Sequence, residues 1–116
     1  MIVDHGSRHP AANAVVEDIA SLVQARAGAR ASVAWAHMEL GEPSLPRAID
    51  DAVMRGARSI TVIPLFLAPG RHAARDIPEL VAAARVRHPG VSFRLGEVLG
   101  ADPTIADLVA RRCGLA

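Results

Sequence analysis

Apolar residues along this chain follow two alternating patterns, one typical of buried strands and one typical of helices that cover a sheet. Four short segments are apolar enough to be strands: residues 1–4, 31–36, 59–67 and 91–95. Four longer segments repeat apolar side chains three and four residues apart, as helices do: residues 10–27, 44–55, 75–88 and 103–112. This order of elements predicts an α/β fold with an open, mostly parallel four-stranded sheet and helices on both faces.

The third predicted strand, residues 59–67, is the clearest of the four because its apolar run is almost continuous. Such a run is expected of a central strand that is covered on both faces. Right-handed crossovers between parallel strands favour the strand order 2-1-3-4. In that order strands 1 and 3 are neighbours, and a crevice opens outside their carboxyl ends, where ligands of open α/β sheets bind.

Residues near the helix ends agree with this prediction. Pro10 suits the first residue of the first helix, and Asp102 suits the cap of the last helix. The first helix has an apolar face that is expected to pack on the sheet: Val15, Ile19, Leu22 and Val23, with Ala12 and Val16 beside them. The last helix is apolar at three positions with helical spacing: Ile105, Leu108 and Val109.

Length and composition narrow the class of protein. The 116 residues suffice for one domain over residues 1–116 with a substantial core. No apolar stretch approaches the roughly 20 residues of a membrane-spanning helix, so no membrane partner is expected. The first residues lack the pattern of a secretion signal. A single cysteine, Cys113, cannot form an internal disulfide, which favours the reducing cytoplasm.

Charge and aromatic content argue against nucleic acid as a partner. The formal net charge is only +1, whereas nucleic-acid-binding domains usually have a strongly basic face. Trp35, Phe66 and Phe93 are the only aromatic residues, which leaves few surfaces for base stacking. All thirteen basic residues are arginines, whose planar donor groups suit carboxylates and phosphates.

Two predicted strands each end in a turn with one histidine and one arginine. His5 and Arg8 follow the first strand, and Arg71 and His72 follow the third, in a long loop over residues 68–73 that is able to move over a ligand. If the strands are neighbours, the four side chains meet in the crevice. Two imidazoles form a minimal metal site with open coordination positions, next to guanidinium groups that suit an anionic ligand.

Other polar residues near the strand ends have alternative roles. Glu39, after the second strand, is either a third metal ligand or proton acceptor, or simply a charged residue at a strand end. His37 belongs to the rim of the crevice or to the core. His9 caps the first helix or faces solvent, and His88 is expected to be solvated. Ser7 lacks the Gly-x-Ser-x-Gly context of a nucleophile, which favours a hydrogen-bonding role.

Several motifs together resemble the small class II tetrapyrrole chelatases, the sirohydrochlorin ferrochelatase and cobaltochelatase group, over nearly the whole chain. They are Asp4-His5-Gly6-Ser7-Arg8 with Asn13, Ala36-His37-Met38-Glu39-Leu40 with Glu42-Pro43-Ser44, the segment from Pro64 to His72 with Asp76-Ile77-Pro78, and His88-Pro89-Gly90-Val91. The resemblance implies insertion of a divalent metal into sirohydrochlorin for siroheme or cobalamin. The metal is iron or cobalt, or nickel in some relatives, and is a substrate, so that no other cofactor is implied.

The resemblance assigns the metal ligands to His5 and His72. With Glu39 as a further catalytic group, a neutral histidine or this carboxylate accepts a proton as the metal enters the ring. Four residues are then expected to bind the carboxylate-rich substrate: Gly6, Ser7, Arg8 and Arg71. Arg75 is either a further carboxylate clamp or a solvated helix residue.

Family members of the long form pair two such domains in one chain, so the resemblance implies a homodimer here. A noncatalytic carrier of metal or tetrapyrrole is the alternative function, since it would use the same histidines without turnover. A histidine phosphatase ranks last, because Asp4 stands where an arginine normally precedes the catalytic histidine of such enzymes.

Overall fold

The computed structural model describes residues 1–68 and 70–115. It has four strands: β1 (Ile2–Asp4), β2 (Trp35–His37), β3 (Ser59–Pro64) and β4 (Ser92–Leu95). It has four α-helices: α1 (Pro10–Ala27), α2 (Leu45–Met54), α3 (Arg71–Arg87) and α4 (Pro103–Arg112). The strands form one parallel sheet in the order β2-β1-β3-β4, which confirms the predicted fold class and topology.

Helices cover the two faces of the sheet to different extents. On one face α2 and α3 pack against each other and over the larger core, which includes Val3, Ile49 and Val62. On the other face α1 packs on β1 and β2 around a small cluster of buried residues: Ile2, Val16 and Ala20. In the central strand β3, the side chains of Ile60 and Val62, which face α2 and α3, are therefore buried. The side chains of Thr61 and Ile63, which face the other side of the sheet, are only half-buried.

The register brings three strand ends to one edge of the sheet. Asp4 pairs with His37 of β2, and Val3 pairs with Pro64 of β3. The β1–β3 ladder continues beyond β3, since the Leu65 amide donates to the Val3 carbonyl at 2.7 Å. The loops that follow β1, β2 and β3 thus leave the sheet side by side, as the predicted strand order requires.

The second strand begins later than predicted. Residues 31–36 were expected to be extended and paired, yet β2 starts at Trp35 after a short 3-10 turn at Gly28–Arg30. The Gln24 side chain explains the difference. Its Nε2 donates to the Ala31 carbonyl at 2.9 Å and its Oε1 accepts from the Val33 amide at 2.7 Å, so these backbone groups bond to α1.

The third helix begins earlier than predicted, at Arg71 instead of residue 75. Gly70 has φ −70° and ψ 167°, an ordinary extended conformation for the residue before a helix, and its carbonyl accepts from the Ala74 amide at 3.0 Å. Arg71 and His72 therefore lie in the first turn of α3, and the prediction that they belong to a long movable loop is wrong. Pro69, in the middle of that predicted loop, lies outside the described residues.

The third strand is shorter than predicted and ends at Pro64. Beyond it the chain bonds to the segment before α4: the amides of Leu99 and Gly100 donate to the carbonyls of Phe66 and Leu67 at 2.8 and 2.9 Å. This pairing replaces the sheet ladder at residues 66 and 67.

The apolar face predicted for α1 is only partly buried. Val16 and Ala20 lie against the sheet, whereas the Val15 and Leu22 side chains are 52% and 58% exposed. Successive helical residues are about 100° apart, so the apolar arc of α1 is wider than the strip that contacts the sheet. The α4 side chains at Leu108 and Val109 are also exposed.

In the described ranges, no helix is long and apolar enough to cross a membrane.

His88 is not solvated as predicted, because it joins α3 to α2. Its Nε2 lies 2.7 Å from Oδ1 of Asp50, and Nη2 of Arg87 donates to the same oxygen at 3.0 Å. The His88 side chain is only 20% exposed. The hydrogen bond from His88, with further help from Arg87, holds the pKa of Asp50 below its ordinary value.

This lowered pKa predicts an acid-dependent contribution to stability. Asp50 binds its proton less readily in the folded chain than in the unfolded chain. Its contribution is therefore present above the unfolded pKa of about 4 and is lost as pH falls through the folded pKa. Because the side chain is 42% exposed, we expect Asp50→Asn to lower the free energy of unfolding by only about 0.5 kcal/mol near neutral pH.

Urea denaturation at neutral pH and at a pH well below 4 measures this effect. The difference between wild type and Asp50→Asn should shrink towards zero in acid. Asp18→Asn, on the exposed side of α1, is the matched control and should be neutral near pH 7. A difference for Asp50→Asn that grows on acidification would contradict the assignment.

Candidate functional site

The loops after β1 and β2 are bonded to each other beyond the ends of the strands. We call residues 5–9 loop 1 and residues 38–42 loop 2. The Met38 amide donates to the Asp4 carbonyl at 2.8 Å, and the Glu39 amide donates to the His5 carbonyl at 3.0 Å. The parallel ladder is thus extended by two hydrogen bonds, which places the backbones of His5 and Glu39 next to each other.

Gly6 permits this close approach. Its φ of +89° is rarely adopted by residues with side chains, and a Cβ atom built there would lie 1.7 Å from the Glu39 carbonyl oxygen. Gly6 therefore has a structural reason to be glycine, in addition to the substrate-binding role predicted for it.

The side chains of His5 and Glu39 form an exposed pair above this junction. Nε2 of His5 lies 3.4 Å from Oε1 of Glu39, and the two side chains are 52% and 54% exposed. The next residue, Leu40, has φ +62°, a left-handed conformation that costs a non-glycine residue of order 1–2 kcal/mol. An imidazole and a carboxylate on a fixed backbone are able to hold a cation or accept a proton.

A hydrogen bond between the buried His37 and the partly buried Asp4 joins the ends of β2 and β1 next to this junction. His37 is 1% exposed, which places it in the core and not on the rim. Its Nδ1 lies 2.5 Å from Oδ1 of Asp4, and the Trp35 ring packs edge-on against the imidazole at 5.5 Å between centroids. Sequence reasoning missed this pair, although the predicted strand order makes β1 and β2 neighbours; Asp4 and His37 are the last residues of those strands in the structure.

The backbone of loop 1 is held by α1. Ser7 exchanges two hydrogen bonds with the side-chain amide of Asn13, and its own hydroxyl oxygen accepts from the His9 amide at 3.0 Å. His9 occupies the cap position of α1, but its side chain makes no capping hydrogen bond and is exposed. Ser7 thus has a hydrogen-bonding role within the loop, and Arg8 beside it is exposed.

His72 and Arg71 lie at the same edge of the sheet, and among the described residues neither makes a hydrogen bond or ion pair with His5 or Glu39. Both are exposed in the first turn of α3, which follows β3. Within residues 1–68 and 70–115, no three His, Cys, Asp or Glu side chains are grouped to hold a metal ion. The structure therefore brings together two of the three predicted catalytic residues, His5 and Glu39.

A small apolar cavity adjoins the first turns of α3. Its volume is about 120 Å³, and it lies between the ends of β3 and β4 and the helix. It is lined mainly by apolar residues: Pro64, Phe66, Ala73, Ala74, Ile77, Pro78, Leu95, Gly96 and Val98. Arg75 is exposed and pairs with its neighbour Asp76, with Nε 3.3 Å from Oδ1.

Comparison with known proteins identifies the family. The sequence matches the CbiX family over residues 1–115. This chain belongs to the CbiX family. The match confirms the resemblance to tetrapyrrole chelatases that the sequence motifs predicted.

Two relatives of this CbiX-family chain illustrate the range of lengths. It is 39% identical over 112 residues to the chloroplastic sirohydrochlorin ferrochelatase of Arabidopsis thaliana, covering 97% of this chain and 49% of the relative. It is 35% identical over 132 residues to the sirohydrochlorin cobaltochelatase of Methanopyrus kandleri, covering 97% and 92%. The chain therefore spans about half the length of the plant relative.

Two solved structures share the CbiX-family fold. A putative cobalamin biosynthesis CbiX protein from Marinobacter aquaeolei VT8 superposes with a TM-score of 0.80 at 33% identity, covering 99% of this chain and 96% of that one. The sirohydrochlorin chelatase SirB from Bacillus subtilis subspecies spizizenii, in complex with cobalt, gives a TM-score of 0.77 at 30% identity, covering 97% and 48%.

The contact between loop 1 and loop 2 predicts that Gly6 is intolerant of any side chain. In this CbiX-family chain, Gly6→Ala must displace the Glu39 carbonyl, and we expect it to lower the free energy of unfolding by about 2 kcal/mol or more. Chemical denaturation measures the change. Gly90→Ala is the control, because a Cβ there meets nothing within 4 Å, and it should change stability by less than about 0.5 kcal/mol. Equal stability of the two variants would contradict this contact.

Proposed function

We propose that this chain is a sirohydrochlorin chelatase, which inserts Fe²⁺ or Co²⁺ into the tetrapyrrole in siroheme or cobalamin biosynthesis. The observation that carries the proposal is the His5–Glu39 pair, 3.4 Å apart and half-exposed where two parallel strands end. The names of the ferrochelatase and cobaltochelatase relatives support the reaction and the choice of metals.

In this proposal the metal substrate binds first to His5 and His72. Neutral imidazoles suit Fe²⁺ and Co²⁺, and two protein ligands leave several coordination positions open. Ring nitrogens of the tetrapyrrole then occupy those positions and replace the protein ligands. His72 lies in the first turn of α3 and His5 in loop 1, so the metal would lie between two elements at one edge of the sheet.

Metal insertion also requires a proton acceptor, because two ring nitrogens lose their protons as the metal enters. Glu39 is the proposed acceptor of one proton, and water at this half-exposed site is the proposed acceptor of the other. Its Oε1 lies 3.4 Å from Nε2 of His5, so that the base stands beside the proposed metal ligand. General bases must lie within hydrogen-bond reach of the proton they remove, and a position next to the metal meets that requirement.

The arginines and loop 1 are proposed to bind the substrate's carboxylates. Arg8 and Arg71 are exposed at this edge, and guanidinium groups bind carboxylates through two parallel hydrogen bonds. The Ser7 hydroxyl oxygen accepts from His9, which leaves its proton free to be donated to a carboxylate. Gly6, which is half-buried, has no side chain that would keep the substrate from the backbone of loop 1.

The central test is metal insertion by purified protein with anaerobic Fe²⁺ or Co²⁺ and sirohydrochlorin, followed by absorbance. We expect His5→Ala and His72→Ala to lower the rate by at least about 100-fold, because each removes a metal ligand. Both side chains are exposed, so thermal unfolding should change little.

His9→Ala is the matched control, since the His9 side chain is exposed and makes no capping bond; its rate should equal that of wild type. Wild-type rates in both the His5 and His72 variants would overturn the site. Tight binding of metal and tetrapyrrole without acceleration over the spontaneous reaction would instead indicate a noncatalytic carrier.

We further propose that the chain is one chelatase-like domain that acts as a homodimer, in the cytoplasm. Support comes from the half-length match to the plant ferrochelatase and from exposed apolar side chains on two helices. Leu22 on α1, the helix that packs on the less completely covered sheet face, is 58% exposed, and Val109 on α4 is 55% exposed. Burial of such side chains in a symmetric interface would remove them from water.

Sedimentation at micromolar concentration tests this association. Wild type should sediment as a dimer, and Leu22→Glu should shift the population to monomers because it places a charge in the apolar contact. Val86→Glu is the control: this residue is 82% exposed on α3, on the opposite side of the sheet, and should leave the dimer intact. A wild-type monomer would overturn the homodimer.

A further inference from the structure

Asn13 on α1 bonds to the backbone of loop 1 as a neighbouring strand would. Its Oδ1 accepts from the Ser7 amide at 2.8 Å, and its Nδ2 donates to the Ser7 carbonyl at 2.7 Å. A single side chain thus satisfies both backbone groups of one residue. The side chain is half-buried between the loop and the helix. The backbone of loop 1 is therefore fixed at a point two residues from His5.

The same amide also contacts loop 2. A Cβ atom built at Gly41 would lie 2.9 Å from Nδ2 of Asn13 and 2.9 Å from Cδ2 of His37. Loop 2 therefore packs against the Asn13 amide at a position where a side chain would not fit. Gly41 is two residues from Glu39, as Ser7 is two residues from His5. Asn13 is hydrogen-bonded to loop 1 and lies against loop 2, yet among the described residues it makes no hydrogen bond to His5 or Glu39.

Asparagine is a poor choice for the helix itself. Its side chain competes with the backbone for hydrogen bonds, and alanine at the same position would favour α1 more strongly. The two bonds to Ser7 lie outside the helix, so the benefit of asparagine here is the position of loop 1.

We propose that Asn13 is a positioning residue for metal insertion: its amide fixes loop 1 against loop 2, which keeps His5 within reach of Glu39. This inference rests on the proposed chelatase function. Removal of the amide frees loop 1 at Ser7 and widens the distances sampled between the imidazole and the carboxylate. Displacements of about 1 Å in a reacting site lower rates by up to about 100-fold.

The test is a double-mutant cycle on the insertion rate with Asn13→Ala and Glu39→Gln. Asn13→Ala alone should lower kcat roughly 10- to 100-fold. In the Glu39→Gln background the same substitution should lower kcat by less than about 3-fold, because the pair that it positions has already lost its base. Asn13→Asp keeps the acceptor for the Ser7 amide and loses the donor, so its rate should fall between those of wild type and Asn13→Ala. This variant also serves if Asn13→Ala fails to fold.

Ser21→Ala, an exposed position on the same helix, is the matched control and should keep the wild-type rate. Equal losses from Asn13→Ala in both backgrounds would indicate general damage to the fold and overturn the inference. If the wild type is active and both Asn13→Ala and Asn13→Asp keep insertion rates within 2-fold of it, this inference is overturned and the proposed function is not. A wild type that does not accelerate insertion would overturn the proposed function, and this inference with it.

Discussion

The backbone contact between the loops after β1 and β2 is the constraint on which the rest of the site depends. Two hydrogen bonds extend the parallel ladder past the strands, from the amides of Met38 and Glu39 to the carbonyls of Asp4 and His5. This extension is possible only because Gly6 has no side chain. Parallel strands that end together normally diverge into separate loops, whereas here the two loops remain in register for two further residues. The His5–Glu39 pair is a direct consequence of that register.

The site combines a buried support with an exposed reactive surface. Next to the junction, the buried His37 and the partly buried Asp4 join the strand ends through a short hydrogen bond. Above it, His5 and Glu39 remain half-exposed, as a site that accepts a large tetrapyrrole and releases a metal requires. A fully enclosed metal site would bind the ion more firmly but would leave no open coordination position for the ring nitrogens. The proposed chemistry therefore depends on a rigid backbone that presents few ligands.

Much of the fold could be predicted from the sequence, because the apolar periodicity of the strands and helices is regular. The strand order, the central strand and the bounds of α1 and α4 all agree with the structure. Features that depend on individual side chains could not be predicted from periodicity. The Gln24 amide bonds to the backbone of residues 31 and 33, so that β2 begins later than predicted, and the Asp50 carboxylate binds His88. Within the site, the motifs indicated His5 and Glu39, but the roles of the polar residues beneath them depend on tertiary contacts that no local pattern reveals.

The most direct test of the account is the position of a bound cobalt ion, measured by anomalous diffraction at the cobalt edge from crystals soaked with Co²⁺. The account predicts a cobalt ion bonded to Nε2 of His5 and to the His72 imidazole, at the edge of the sheet where β1, β2 and β3 end, with Glu39 beside it. Cobalt bound at His9 or His88, with the His5 imidazole free of metal, would contradict the claim that the metal binds where the loops after β1 and β2 are joined.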